Sequence, residues 1–459
     1  MNKLISIFLF SFFTCCQVVF GQDVLPKLSL VEGKLVYGAD DLGNKIPDYS
    51  FAGYRLSEIP IPNVKPAFII SPVEGDATAL IQEALDQVAT LPLDKNGLRG
   101  AVVLDKGDFE IEGTLFLRND GVVLRGSGVG EGGTRLIGAG TKRDDLIKVQ
   151  GTGDVVLGEK LGVKELYHPL GNDFILVNQA GKLTVGQDIF ITRPATQEWI
   201  DTMQMVDFGG ETGWIGWKPG DHDQVWDRKI LQIKGDTVFL DAPITMALDP
   251  KYSKAYLQTY KWEGRIANIG VENMQLISTF DADNNKDEAH RWTAISMGNV
   301  QDAWVRQLSF QHFAGSAVAI HPTGKRITVE DCISLDPISE IGGHRRRTFY
   351  TQGQQNLFQR CYAEYGMHDF SVGLNAAGSN VFLSCESFLP DGHSGGIDGW
   401  SSGTLFDNVK IDGHGLGFKN LGQRQRGAGW TGGNSMLWQC SASLISCFSP
   451  PTAQNWAYG

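Results

Sequence analysis

Four histidines, His344, His368, His393 and His414, fall in loops close together along the second half of this chain. Around them stand Arg345, Arg346, Arg347 and Tyr350, then Asp369, Asp391 and Asp398, then Lys419 and Arg424, the densest set of titratable side chains in the sequence. A basic cluster on an acidic protein is better explained by an anionic ligand than by general charge. The chemistry that suits it is β-elimination on a uronic acid. The C5 proton of such a sugar is weakly acidic, and the negative charge of the adjoining carboxylate opposes carbanion formation. An enzyme must therefore neutralise the carboxylate and place a base near C5. These residue types assign Arg345 and Arg347 to the carboxylate, His368 or Arg346 to the base, and Tyr350 or His393 to the acid, with His344 in the same catalytic cluster. The competing reading makes 344–347 a solvated turn that pairs with Glu340 and Asp336.

A hydrolase would use carboxylates instead, two of them flanking a glycosidic bond. Asp369, Asp391 and Asp398 lie on adjacent repeats and are the candidates. A third reading is a glycan-binding or structural protein that does no chemistry. Trp199, Trp214, Trp217 and Trp226 crowd residues 195–228, around Asp221-His222-Asp223. Indole faces pack on the CH faces of sugars, so Trp214, Trp217 and Trp226 are candidate sugar platforms; the alternative is that they pack the segment onto the rest of the fold. Asp369, Asp398, His414, Lys419 and Arg424 complete the candidate substrate-binding set.

What positions these groups is a repeat. Met274, Leu308, Cys332, Cys361, Cys385, Val409 and Cys440 are apolar anchors, each preceded by a polar residue: Asn273, Gln307, Asp331, Arg360, Ser384, Asn408 and Gln439. Three residues before each anchor is an apolar partner: Val271, Val305, Val329, Phe358, Phe382, Phe406 and Leu437. The anchors are 34, 24, 29, 24, 24 and 31 residues apart. A near-constant strand separated by loops of changing length marks a stacked solenoid. The segments are short, alternating and punctuated by Gly, Asn and Ser, which favours strands over helix pairs. The expected fold is all-β, a parallel β-helix of about three strands per coil, in which aligned loops would stack about 4.8 Å apart. Four Cys anchors suit a ladder of small buried side chains. Asp76 is placed to cap a helix through Ala89, with Ala77, Leu80, Ile81, Ala84, Leu85 and Val88 on one face, covering the open end of the core.

Further signals precede the ladder. Asp48-Tyr49-Ser50-Phe51-Ala52-Gly53-Tyr54 leads to the helix, followed by Gly107-Asp108-Phe109-Glu110-Ile111, Val122-Val123-Leu124-Arg125-Gly126 and Gly133-Thr134-Arg135-Leu136-Ile137. This order resembles the start of the pectate-lyase-like right-handed β-helix superfamily, and with the ladder the resemblance runs from about residue 47 to the end. It implies a right-handed coil and a carbohydrate-active protein, but leaves the substrate open, since the superfamily includes lyases, glycoside hydrolases and tailspikes. Lyases of that kind commonly use Arg or Lys as base and a cation or basic side chain to neutralise the acid. No catalytic motif of the superfamily maps cleanly onto this chain. Gly413-His414-Gly415 resembles a segment of polygalacturonase-type hydrolases, without the paired aspartates upstream, and Asp412 is as well placed to brace a turn as to catalyse.

Residues 1–21 read as a cleaved secretory signal: Lys3, the apolar run Leu4 to Thr14, then a small-residue exit at Gly21. The expected organisation is that signal, a lead-in over 22–75, and a β-helix over 76–459 with its Trp-rich insertion at 195–228. The apolar run is too short to span a bilayer; the expected location is secreted or periplasmic, with no integral membrane segment and a monomeric state. The formal charge is −12, or −13 once Lys3 is removed with the signal, which argues against nucleic-acid partners. The expected partner is an acidic polysaccharide or oligosaccharide. Asp281, Asp283, Asn285 and Asp287 alternate like a calcium loop, but Lys286 replaces the required Gly and Trp292 the closing Glu. No metal ligand set is assigned, no cofactor is required by the sequence, and calcium between coils is left open.

Overall fold

The computed structural model describes residues 28–208 and 215–459; the proposed signal and Trp214 lie outside them. The polar residue before each anchor turns out to be the corner of the coil. Asn273, Gln307, Asp331, Arg360, Ser384, Asn408 and Gln439 all have positive φ, between 48° and 63°. A left-handed residue bends the strand sharply, so that the apolar partner ends one face and the anchor opens the next, both pointing inward. Such a backbone costs a non-glycine residue about 1–2 kcal/mol, and the two apolar side chains that each corner buries offset it.

Stacking these corners gives a right-handed parallel β-helix, the hand that parallel crossovers take, with 26 strands joined among the described residues. The apolar partners are in register coil by coil, Val271 opposite Val305, then Val329, Phe358, Phe382, Phe406 and Leu437. Phe358, Phe382 and Phe406 stack with ring centroids 4.8 and 4.7 Å apart. Cys332, Cys361 and Cys385 are buried thiols on the adjoining corner, each Sγ directed at a backbone carbonyl.

The capping helix spans Thr78–Thr90, two residues later than the sequence suggests, and buries Ile81, Ala84, Leu85 and Val88 against the first coils. Leu80, expected on that face, is exposed. The Asp76 carboxylate accepts the Thr78 amide at 3.0 Å and also the Glu112 amide, so it ties the helix start to the coil.

Outside the coil lies a six-stranded antiparallel sheet whose strands run from Val156–Gly162 to Tyr256–Lys261. It contains the Trp-rich segment and the strands that follow it, Gln224–Lys234 and Thr237–Leu240. A buried ionic pin joins it to the coil. Asp227, on the insertion, accepts hydrogen bonds from Lys325 Nζ at 2.8 Å, Arg265 Nη1 and the Tyr260 hydroxyl. Among the described residues no helix is long and apolar enough to cross a membrane.

Candidate functional site

The face of the coil beneath the insertion is built from Asp145–Gln150, Thr293–Gly298, Ser316–Ile320, Phe349–Thr351, Phe370–Val372 and Ser394–Gly396, paired in that order. Alternation sends Ile147, Ile295, Val318, Phe349 and Phe370 into the core. Outward, in one row, it sends Lys148, Ser296, Ala319, Tyr350, Ser371 and Gly395. Between this row and the insertion segment 215–222 runs a groove of about 740 Å³.

At its floor three side chains meet. Arg347 donates from Nη1 and Nη2 to Asp398 Oδ2 and Oδ1, at 2.9 and 3.0 Å. The Tyr350 hydroxyl donates to Asp398 Oδ2 at 2.6 Å, and the guanidinium lies 5.1 Å from the Tyr350 ring centroid. Asp398 reaches this position by leaning across Gly373, where a Cβ would come within 2.7 Å of its Oδ2. Burial, and then the Asp398 charge, raise the Tyr350 pKa well above its ordinary value, so the phenol stays protonated and acts as a donor. One rung earlier, two positions beyond Ala319 on the same outward phase, His321 lines the groove. It is exposed at the rim, yet the walls desolvate its imidazole and hold the pKa below the ordinary value, leaving a neutral base at pH 7. His344 and Trp292 also line the groove, and on the insertion side Asp221, His222 and the edge of Trp217 face it. Asn375 holds that wall in place, bonding His222 Nδ1 at 2.8 Å and the Asp221 carbonyl at 2.9 Å.

The residues singled out in the sequence divide accordingly. His344, Arg347, Tyr350, Asp398 and Trp217 come together at the groove. The arginine run is no free basic cluster, however. Arg345 pairs with Glu288, Arg346 with Asp391 at 3.3 Å, and Arg347 with Asp398. Arg345 is therefore spent on an acid of another coil, and Arg346, also bonded to the Ser339 and Tyr365 carbonyls, is a structural corner with φ 52° rather than a base. His368 is buried, 1% exposed, and its Nδ1 donates to the His393 carbonyl at 2.6 Å. Burial pushes its pKa down to about 4, and that of His393, which donates from Nε2 to Gly396, to about 3. Both are neutral packing groups, stacked edge to face at 5.1 Å, and neither can reach a sugar in the groove. Asp369 is fully buried, accepts the Thr348 and Ser387 hydroxyls at 2.5 and 2.6 Å, and has its pKa raised to about 6 by burial, so it braces the coil instead of binding substrate.

Trp226 is fully buried and donates to Thr245 Oγ1 at 2.9 Å, which leaves no indole face for a sugar. Trp199 is equally buried. His414, Lys419 and Arg424 lie on later coils, outside the groove lining. Sequence reasoning missed His321, Trp292 and Asp145. His321 had a readable signal, its place two residues beyond the outward Ala319 and just past the strand Ser316–Ile320. Among the described residues no three His, Cys, Asp or Glu side chains gather as a metal site.

No family model matches the chain, and no curated protein matches it. Solved structures do. A tailspike protein of Pseudomonas phage LKA1 is 12% identical with a TM-score of 0.38, over 80% of this chain and 56% of its own. PfbA, a surface adhesin of Streptococcus pneumoniae, is 11% identical with a TM-score of 0.35, over 80% of this chain and 63% of its own. A glycoside hydrolase is 9% identical with a TM-score of 0.30, over 86% and 96%. The chain thus spans little more than half the length of the phage tailspike. These likenesses concern the coiled architecture alone.

Proposed function

We propose that the protein is an exported enzyme that cleaves a uronate-containing glycan by β-elimination in the groove between coil and insertion. The observation that carries this reading is the pairing of a phenol held protonated, Tyr350, with a neutral imidazole, His321, on one outward face. In the reaction His321 takes the C5 proton, the electron pair forms the C4–C5 double bond, and the C4–O bond breaks. Tyr350 turns its hydroxyl from Asp398 Oδ2 to the departing glycosidic oxygen and delivers its proton there. Asp398 and Arg347 fix the phenol from behind. Because Asp398 offsets its charge, Arg347 serves the sugar carboxylate as a hydrogen-bond donor, with Gln352 on the next outward position. Trp292 walls the sugar rings.

One observation favours hydrolysis instead. With the arginines each paired to a carboxylate, the groove is lined by Asp398 from the coil and Asp221 from the insertion, two acids on two walls. Incubation with a panel of acidic polysaccharides separates the two readings. Rising ultraviolet absorbance from an unsaturated uronate supports elimination. New reducing ends without that absorbance, abolished by Asp221→Asn, would replace it with the carboxylate mechanism.

A further inference from the structure

A second cavity, of about 570 Å³, lies on the far side of the tryptophan cluster from the groove. Trp217, at the groove edge, packs 5.7 Å from Trp199, and Trp199 packs 5.1 Å from Trp400. On the opposite side of Trp199 sits Arg193, its guanidinium carbon 4.8 Å from the ring centroid. Arg193 ends the strand Asp188–Arg193 and lines the second cavity. The cavity is closed by the lead-in around Asp41, by Asp249 and Tyr252 of the insertion, and by Gln454 near the last turn.

Arg193 is 2% exposed, and its Nε and Nη1 have no hydrogen-bond partner among the described residues. Asp223 accepts the Ala195 amide at 2.7 Å and Asp249 the Lys251 amide at 2.9 Å, and both carboxylates stabilise the charge of Arg193 from nearby. Burial pushes the Arg193 pKa down to about 10, so the group is still charged at neutral pH. A buried guanidinium with unpaired donors is expensive, and folded proteins rarely leave one without a ligand, an ion or water to bind. Its planar fork matches a carboxylate. The rest of the lining selects among carboxylates. Asp41 and Asp249 repel a second negative charge and accept hydroxyls, Gln454 can do either, and Tyr252 offers an aromatic face. The volume is in the range of small-molecule sites.

We propose that this cavity is a second saccharide site that binds one sugar acid, with Arg193 receiving its carboxylate and Asp41, Asp249 and Gln454 receiving its hydroxyls. The proposal stands whether or not the groove performs elimination, since it uses none of the groove residues.

Isothermal titration of the purified chain with galacturonate, glucuronate, galactose and acetate tests it. The expected result is saturable binding of at least one hexuronate, with galactose and acetate each weaker by roughly tenfold or more, as loss of a charge-assisted contact or of the hydroxyl contacts implies. Arg193→Gln should weaken the hexuronate by a similar factor, and Tyr350→Phe should leave it unchanged. Gln454→Trp, which blocks the cavity without touching Arg193, should abolish binding and decides the matter if Arg193→Gln does not fold. Absence of hexuronate binding by the unaltered chain overturns the proposal, as does full binding in Gln454→Trp. Loss in Tyr350→Phe alone would assign the binding to the groove, and equal binding of acetate would refute recognition of a sugar.

Discussion

Tyr350→Phe removes one oxygen and leaves the ring, so its consequences can be worked from the contacts. The lost group donates to Asp398 Oδ2 at 2.6 Å, but Asp398 keeps both bonds from Arg347, at 2.9 and 3.0 Å. Its carboxylate is therefore not orphaned, and the stability cost should be near that of one hydrogen bond to a charged group, about 1.5–3 kcal/mol. A domain stable by about 5–15 kcal/mol remains folded after that loss. The phenyl ring retains its place 5.1 Å from the Arg347 guanidinium. The catalytic cost is larger. Removing a positioned general acid lowers turnover by roughly 10²–10⁴-fold, about 3–5 kcal/mol in the barrier. Eliminative activity on the best acidic glycan should therefore fall at least a hundredfold (~10²), with thermal unfolding only modestly lowered. A variant that keeps its turnover within a few-fold of the unaltered protein would refute Tyr350 as the acid, because no other loss can then mask the result.

The base has its own signature in pH. His321 acts as the neutral imidazole and its pKa is held below the ordinary value by desolvation. As pH falls through that lowered pKa the imidazole gains a proton and the rate falls; above it the rate is level through neutrality. His321→Gln should remove this acidic limb and lower the rate by roughly 10²-fold or more, whereas an unaltered limb would assign it to another group. At the ionic pin, Asp227→Ala leaves Lys325, fully buried and with its pKa already pushed down to about 8 by burial, and Arg265 without their common acid. Urea unfolding should show a loss of about 3–5 kcal/mol, and a loss under 1 kcal/mol (~0.5) would mean the pin is dispensable. In the corner ladder, Cys385→Ser places a hydroxyl in an apolar stack and should cost about 1–3 kcal/mol, tempered by the Phe358 carbonyl 3.6 Å from Sγ; an unchanged melting temperature would contradict that packing.

The coil was legible in the sequence because its determinants are local. An apolar partner, a polar corner and an anchor recur within four residues, and the left-handed corner at Asn273 or Gln439 is a property of its own backbone. The site was only partly legible because its determinants are relations between coils. Arg345, Arg346 and Arg347 look like one basic run, yet Glu288, Asp391 and Asp398 neutralise them from coils on either side. Loop lengths set those pairings, and a spacing count does not contain them. His368 and His393 show the same limit: their closeness to His344 and His414 along the chain suggested one catalytic cluster, while burial makes these two packing groups. His321 was overlooked for the opposite reason, since the repeat is defined by inward residues and His321 follows the strand Ser316–Ile320 on its outward side. Trp226 and Trp217 are both buried in the core of the insertion, and only Trp217, which lies outside the strands of the sheet, also borders the groove.

The most direct test of the chemistry is cleavage of an acidic glycan in water enriched in heavy oxygen, with the products weighed by mass spectrometry. Elimination breaks the C4–O bond without consuming water. The products should therefore carry no heavy oxygen, one of each pair being lighter than its hydrolytic counterpart by one water. Incorporation of one heavy oxygen per cleavage would contradict it and move the reaction from Tyr350 and His321 to the aspartates of the groove.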